Sequence, residues 1–113
     1  MRDDDFVRLR HMLDAGREAL EFTEGRRRDE LDRDRMLTLS LMKAIEIVGE
    51  AAFKISEATR AEHPEIPWQQ IVGMRHRLVH SYFDINLDVL WQTVEEDLPT
   101  LITLIEPVVE GER

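Results

Sequence analysis

Two histidines and two arginines crowd into one short run, Arg75-His76-Arg77-Leu78-Val79-His80-Ser81-Tyr82. Imidazole is the side chain best placed to move a proton near neutral pH. Guanidinium holds a phosphate and steadies charge on a phosphoryl group in its transition state. Arg75 and His80 therefore supply both parts of acid–base chemistry on a phosphodiester. On a straight helix their spacing of five leaves them about 140° apart, so one substrate must be reached across a cleft. A groove between two subunits would supply one, with two copies of the pair side by side. Other readings of the same residues stand beside this one. His76 and His80, four apart, would share a helix face and could hold zinc. However, no third ligand accompanies them, and Arg75 and Arg77 would repel a cation. The run could also bind a phosphate without cutting it, or be an exposed basic turn of helix with His80 satisfied by hydrogen bonds.

A polyanionic substrate sits awkwardly with the whole chain. Its 113 residues carry 24 acidic and 15 basic side chains, a formal net charge of −9. Proteins that bind phosphate backbones usually carry the opposite sign. Contact with nucleic acid must then rest on a local basic patch. Two exist, Arg26-Arg27-Arg28 and Arg75-His76-Arg77, and the first reads as a solvated loop. The absence of cysteine excludes disulfides, thiolate metal sites and cysteine nucleophiles. No apolar run approaches the ~18 residues of a membrane span. The acidic start Met1-Arg2-Asp3-Asp4-Asp5-Phe6 lacks the apolar core of a signal peptide. These features lead us to expect a soluble cytoplasmic protein folding as one domain, residues 1–113.

The elements that must position the motif are helical, since no sustained alternation or hairpin turn marks a strand. A first helix is expected from about Asp5 to Thr23, with the stripe Phe6, Leu9, Leu13, Gly16 and Leu20. Asp3, Asp4 and Asp5 suit its positive end, and Gly25 breaks it. A second, the longest, is expected from Glu30 to Glu62. Its seam Leu41, Ile45, Val48, Ala52, Ile55 and Thr59 repeats at fours and threes, until Pro64 and Pro67 end it. A third should start near Pro67 and Trp68, bury Ile71, Met74 and Leu78, and run to about Tyr82 or Phe83. A fourth should begin at an Asn86 cap and bury Leu87, Trp91, Val94, Leu98, Leu101, Ile105 and Val108. Pro99 should bend or split it, and Pro107 could do the same near the end. Four such helices with short connections imply an all-α antiparallel bundle. Leu39, Met42 and Ile47 fall outside the second helix's seam and lead us to expect a second packing surface in a symmetric homodimer. Trp68 and Trp91 read as core. Glu50, among the small residues Gly49, Ala51 and Ala52, would need a partner if buried, and reads equally well as an ordinary surface glutamate.

The residues around the motif carry a resemblance. Ile66-Pro67-Trp68, Gly73-Met74 and the RX4HXY run 75–82 resemble the HepT-like branch of the HEPN superfamily. Ile47-Val48-Gly49-Glu50-Ala51-Ala52 and the stretch from Val89-Leu90-Trp91 to Asp97-Leu98-Pro99 are similar to its second and fourth helices, so the likeness spans nearly the whole chain. It implies a HEPN-type four-helix bundle whose third helix bears the motif, paired as a symmetric homodimer. It implies a metal-independent endoribonuclease with no cofactor, acting on RNA and not DNA. The catalytic residues would be Arg75 and His80. Tyr82 would be the site at which a minimal nucleotidyltransferase antitoxin attaches AMP and silences the toxin, in a type VII-like pair. The branch most often has asparagine where this chain has His76. His76, Arg77 and Glu50 are expected in supporting roles, Glu50 by orienting Arg75 or His76. A non-catalytic partner of a nucleotidyltransferase, built on the same bundle, is the rival reading, and a purely structural interaction protein is a third.

Overall fold

The computed structural model describes residues 1–81 and 84–111, with His80 and Ser81 described as backbone only. The expected all-α class holds, but four uninterrupted helices are not what the chain forms. Helix α1 spans Asp3–Thr23 and α2 spans Arg35–Lys54, with a 3-10 turn at Arg28–Asp32 between them. Three short helices follow, α3 (Glu57–Glu62), α4 (Trp68–Val72) and α5 (Met74–Leu78), before a small antiparallel pair of strands. That pair joins β1 (Val79–Ser81) to β2 (Asp84–Ile85), with Val79 opposite Ile85. The last rod runs through α6 (Leu87–Gln92), a π-helical segment (Thr93–Asp97) and α7 (Leu98–Glu110).

The core is where α1, α2 and the last rod meet. Leu9, Met12 and Leu13 of α1 are fully buried with Leu41, Ile45 and Val48 of α2, and Leu98 and Ile105 of α7. Ile71 and Leu78 bring the shorter helices onto the same cluster. Trp68 is buried as expected and donates its indole N–H to the His63 carbonyl; Trp91 is half-buried. Gly25 opens the first connection with a positive φ of 72°, a conformation that favours glycine.

Three departures have local causes. The expected second helix is cut at both ends by caps. Asp34 accepts from the Leu37 N–H and starts α2 late, and Ser56 accepts from the Thr59 N–H and starts α3. Asp5 reinforces the second cut. Instead of resting at the exposed end of α1, it is buried and accepts from the Ser56 N–H, the Ser56 hydroxyl and the Thr59 hydroxyl. Burial by itself would raise this carboxyl, but the bonds from Ser56 and Thr59 outweigh it and hold the pKa at about 2. The third helix stops at Leu78, because the chain there turns extended into β1. Pro99 does not split the fourth. The π-helical segment ahead of it absorbs the missing N–H, and the Thr100 and Thr103 hydroxyls donate to the Glu96 and Pro99 carbonyls. Asn86 caps α6 as expected, accepting from the Val89 N–H.

Candidate active site

The site is built where α2 meets α4 and α5. Helix α2 forms one wall, and the carbonyls at its end are closed by two guanidiniums. Arg8 donates to the Lys54 carbonyl, and Arg60 donates to those of Ala52, Phe53 and Ile55. Cations suit the negative end of a helix. Arg60 also lies over the Trp68 ring, 5.8 Å from its centroid, and so ties the end of α2 to the start of α4. Gly49 faces the end of α4, and a Cβ there would already touch the Ile71 and Val72 carbonyls at 3.5 and 3.7 Å. The small residues of α2 thus bring the two walls together, as their sequence indicates.

Between those walls lies an open groove of about 510 Å³ lined by Glu46, Gly49, Glu50, Phe53, Lys54, Val72, Arg75 and His76. Arg75 also lines a neighbouring groove of about 300 Å³ with Arg35, Leu39, Met42, Lys43, Glu46, Val79 and Ile85. The two join at Arg75 and Glu46. On α5, Met74 and Leu78 turn inward one helical turn apart, which leaves Arg75, His76 and Arg77 exposed. At about 100° per residue, Arg75 and Arg77 point to nearly opposite sides. Arg77 accordingly lines a third groove, of about 140 Å³, toward Asp97, Thr100 and Leu104, and donates to the Gln70 carbonyl.

The sequence-derived site residues are therefore divided. Arg75, His76 and Glu50 share one groove, while Arg77 stands apart. Glu50 is exposed and, among the described residues, makes no hydrogen bond or ion pair with Arg75 or His76, so a buried orienting contact is not what it forms. The backbone of His80 lies in β1, so His76 and His80 do not sit on one continuous helix, and the 140° helical separation of Arg75 from His80 no longer applies. The side chain of His80 and all of Tyr82 lie outside the described residues. Sequence reading missed Phe53 and Lys54. The signal was present: Phe53 lies off the apolar seam of α2, and it is 69 % exposed.

The other basic run is engaged. Arg26 pairs with Glu30 and Asp34, Arg27 with Asp29, and Arg28 with Asp32 and Asp88. The bonds to Asp34 and Glu30 push Arg26 up, and the bond to Asp88 does the same for Arg28. Asp34 is held low, first by the Leu37 N–H and then by Arg26. Among the described residues, Arg75, His76 and Arg77 form no ion pair. Nor, among those residues, is any helix long and apolar enough to cross a membrane.

The profile of the family described as "Ribonuclease HepT-like" matches residues 12–108, a span holding every wall of these grooves. The chain belongs to the HepT-like ribonuclease family. It is 30% identical over 105 residues to a "Putative RNase" of Caldanaerobacter subterraneus, covering 93% of this chain and 94% of that one. A "Putative RNase" of Methanocaldococcus jannaschii is 34% identical over 100 residues, 88% of this chain and 92% of the relative. The "Probable ribonuclease HepT" of Thermococcus cleftensis is 43% identical over 68 residues, 60% of this chain and 62% of the relative. No solved structure matches the chain.

Proposed function

We propose that this HepT-like protein is a metal-independent endoribonuclease, the toxin of a pair whose antitoxin is a minimal nucleotidyltransferase. One observation carries the reading. Arg75 is exposed, engaged by no acid among the described residues, and placed on a groove with His76, five residues ahead of His80. His80 removes the proton of an RNA 2′-hydroxyl. The freed oxygen attacks the adjacent phosphorus, and the bond from phosphorus to the 5′-oxygen breaks. A histidine of a second copy protonates that departing oxygen, leaving a 2′,3′-cyclic phosphate and a 5′-hydroxyl. Arg75 steadies the charge on the phosphoryl oxygens. Arg77, on the other side of α5, adds positive potential without touching that phosphate.

The shared cleft requires a homodimer. Met36 is 81 % and Leu39 48 % exposed on the outer face of α2, with Met42 and Ile47 half-buried beside them, which supports a second packing surface there. Leu39 and Met42 also line the groove that holds Arg75, so this surface borders the catalytic groups. Attachment of AMP at Tyr82 would add a charged, bulky group two residues beyond His80 and block RNA.

The deciding experiment is cleavage of RNA with and without EDTA, comparing wild type with His80→Ala. Cleavage unaffected by EDTA, absent on a deoxy-substituted strand and lost in the variant is expected. An equally active His80→Ala protein would remove the mechanism. The net charge of −9 favours the non-catalytic partner reading, which predicts binding to the nucleotidyltransferase and no cut RNA at all.

A further inference from the structure

We propose that the groove beside Arg75 holds a nucleobase, stacked on Phe53 and read by Glu50, and that it selects guanine. The inference rests on the ribonuclease reading and names the specificity of its site. Phe53 is 69 % exposed in a groove that also holds Arg75, His76 and Lys54. A phenyl ring beside cations is the pairing that single-stranded nucleic acid uses, the base lying on the ring and the backbone along the charges. The end of α2 that carries Phe53 is fixed by the Arg8 and Arg60 bonds, so the platform is preorganised.

Glu50 is the informative neighbour. A carboxylate beside a phosphate is repulsive, yet Glu50 lines the same groove as Arg75 without pairing to it. Glu46 is different, since Lys43 engages it at 3.5 Å. An ionised carboxylate only accepts hydrogen bonds, so Glu50 suits a ligand edge made of donors. Guanine alone offers two adjacent donors, N1–H and the N2 amino group, to one carboxylate. Uracil offers one, flanked by carbonyl oxygens that a carboxylate repels.

The test uses the full chain and fluorescent 2′-O-methyl pentanucleotides, a central G, A, C or U flanked by uridines, titrated at fixed salt. These probes cannot be cut by 2′-hydroxyl attack, so binding is read whether or not the protein is a nuclease. Wild type should bind the G probe most tightly and the U probe least. Phe53→Ala should weaken the G probe about tenfold, and Phe53→Trp should restore it. Glu50→Gln should collapse the G-to-U ratio, weakening the G probe and, with the repulsion of the uracil carbonyls removed, leaving the U probe no weaker. Equal binding of all four probes by wild type would overturn the proposal, as would an unchanged ratio in Glu50→Gln. So would a Phe53→Ala protein that keeps its base ratio but sediments as a monomer, because Phe53 would then be covered by a second copy. Base-selective binding of these probes by a protein that cuts no unmodified RNA would instead sink the nuclease reading and leave the guanine subsite standing.

Discussion

The molecule carries two clusters of three consecutive basic residues and treats them in opposite ways. Around Arg26-Arg27-Arg28 the chain has gathered Asp29, Glu30, Asp32, Asp34 and Asp88. Around Arg75-His76-Arg77 the described residues supply no ion pair, and α5 is so short that its two buried residues push all three outward. The same residue types thus do structural work in one place and stand ready for a ligand in the other. In an acidic protein, the basic run that matters for a polyanion is the one left without ion pairs. Composition alone conceals that difference.

Substitutions at the two clusters should accordingly have opposite signatures. Arg75→Ala carries the largest effect expected, a loss of RNA cleavage of about 100-fold or more with little change in melting temperature, since the side chain is exposed. A variant that cleaves normally would dissolve the contrast. Second is the dimer proposed to give Arg75 its cleft. Leu39→Asp should shift sedimentation from dimer to monomer and remove most cleavage, while far-UV circular dichroism stays the same. An active monomer would show that one subunit suffices.

A third test compares surface pairs with a buried one. Asp5→Ala removes a buried carboxylate that accepts three bonds, and should cost about 3 kcal/mol in urea unfolding. The pH dependence follows from the lowered pKa. The stabilisation from Asp5 is fully present above the unfolded value near 4, and is lost as pH falls toward the folded value of about 2. Wild type should thus lose stability between pH 4 and 2 more steeply than Asp5→Asn. Last and smallest, Arg28→Ala should lower the melting temperature only slightly, less at high salt, and leave RNA cleavage unchanged. A large loss of cleavage there would give the first cluster a share in RNA binding.

Periodicity made the long rods legible. The stripes of α1, α2 and the last rod are buried much as their spacing indicates, and Asn86 caps where its type suggests. The breaks were harder, for identifiable reasons. The seam through Ile55 and Thr59 keeps its register across a helix boundary, because Thr59 is buried by its bond to Asp5 rather than by continuing α2. Ser56 is a good cap residue whose role is visible only once Asp5, 51 residues away, is beside it. Within the motif, residue types fixed the identity of Arg75, but its groove depends on where α5 ends. Val79 leaves the helix to pair with Ile85, a contact that no local pattern announces. Sequence left Glu50 open to a buried or a surface place, and the structure puts it on the surface. Its small neighbours do admit α4, but they leave the carboxylate on the open side.

The placement of Asp5 has a practical corollary. The span recognisable as HepT-like starts at residue 12, so a fragment trimmed to that span would discard the first nine residues of α1 together with the acid that fastens α3. Such a fragment would keep every residue of the groove and still lose the anchor for α3, whose Arg60 ties down the end of α2. Expression of this protein, and of grafts made from it, should begin ahead of the leading aspartates.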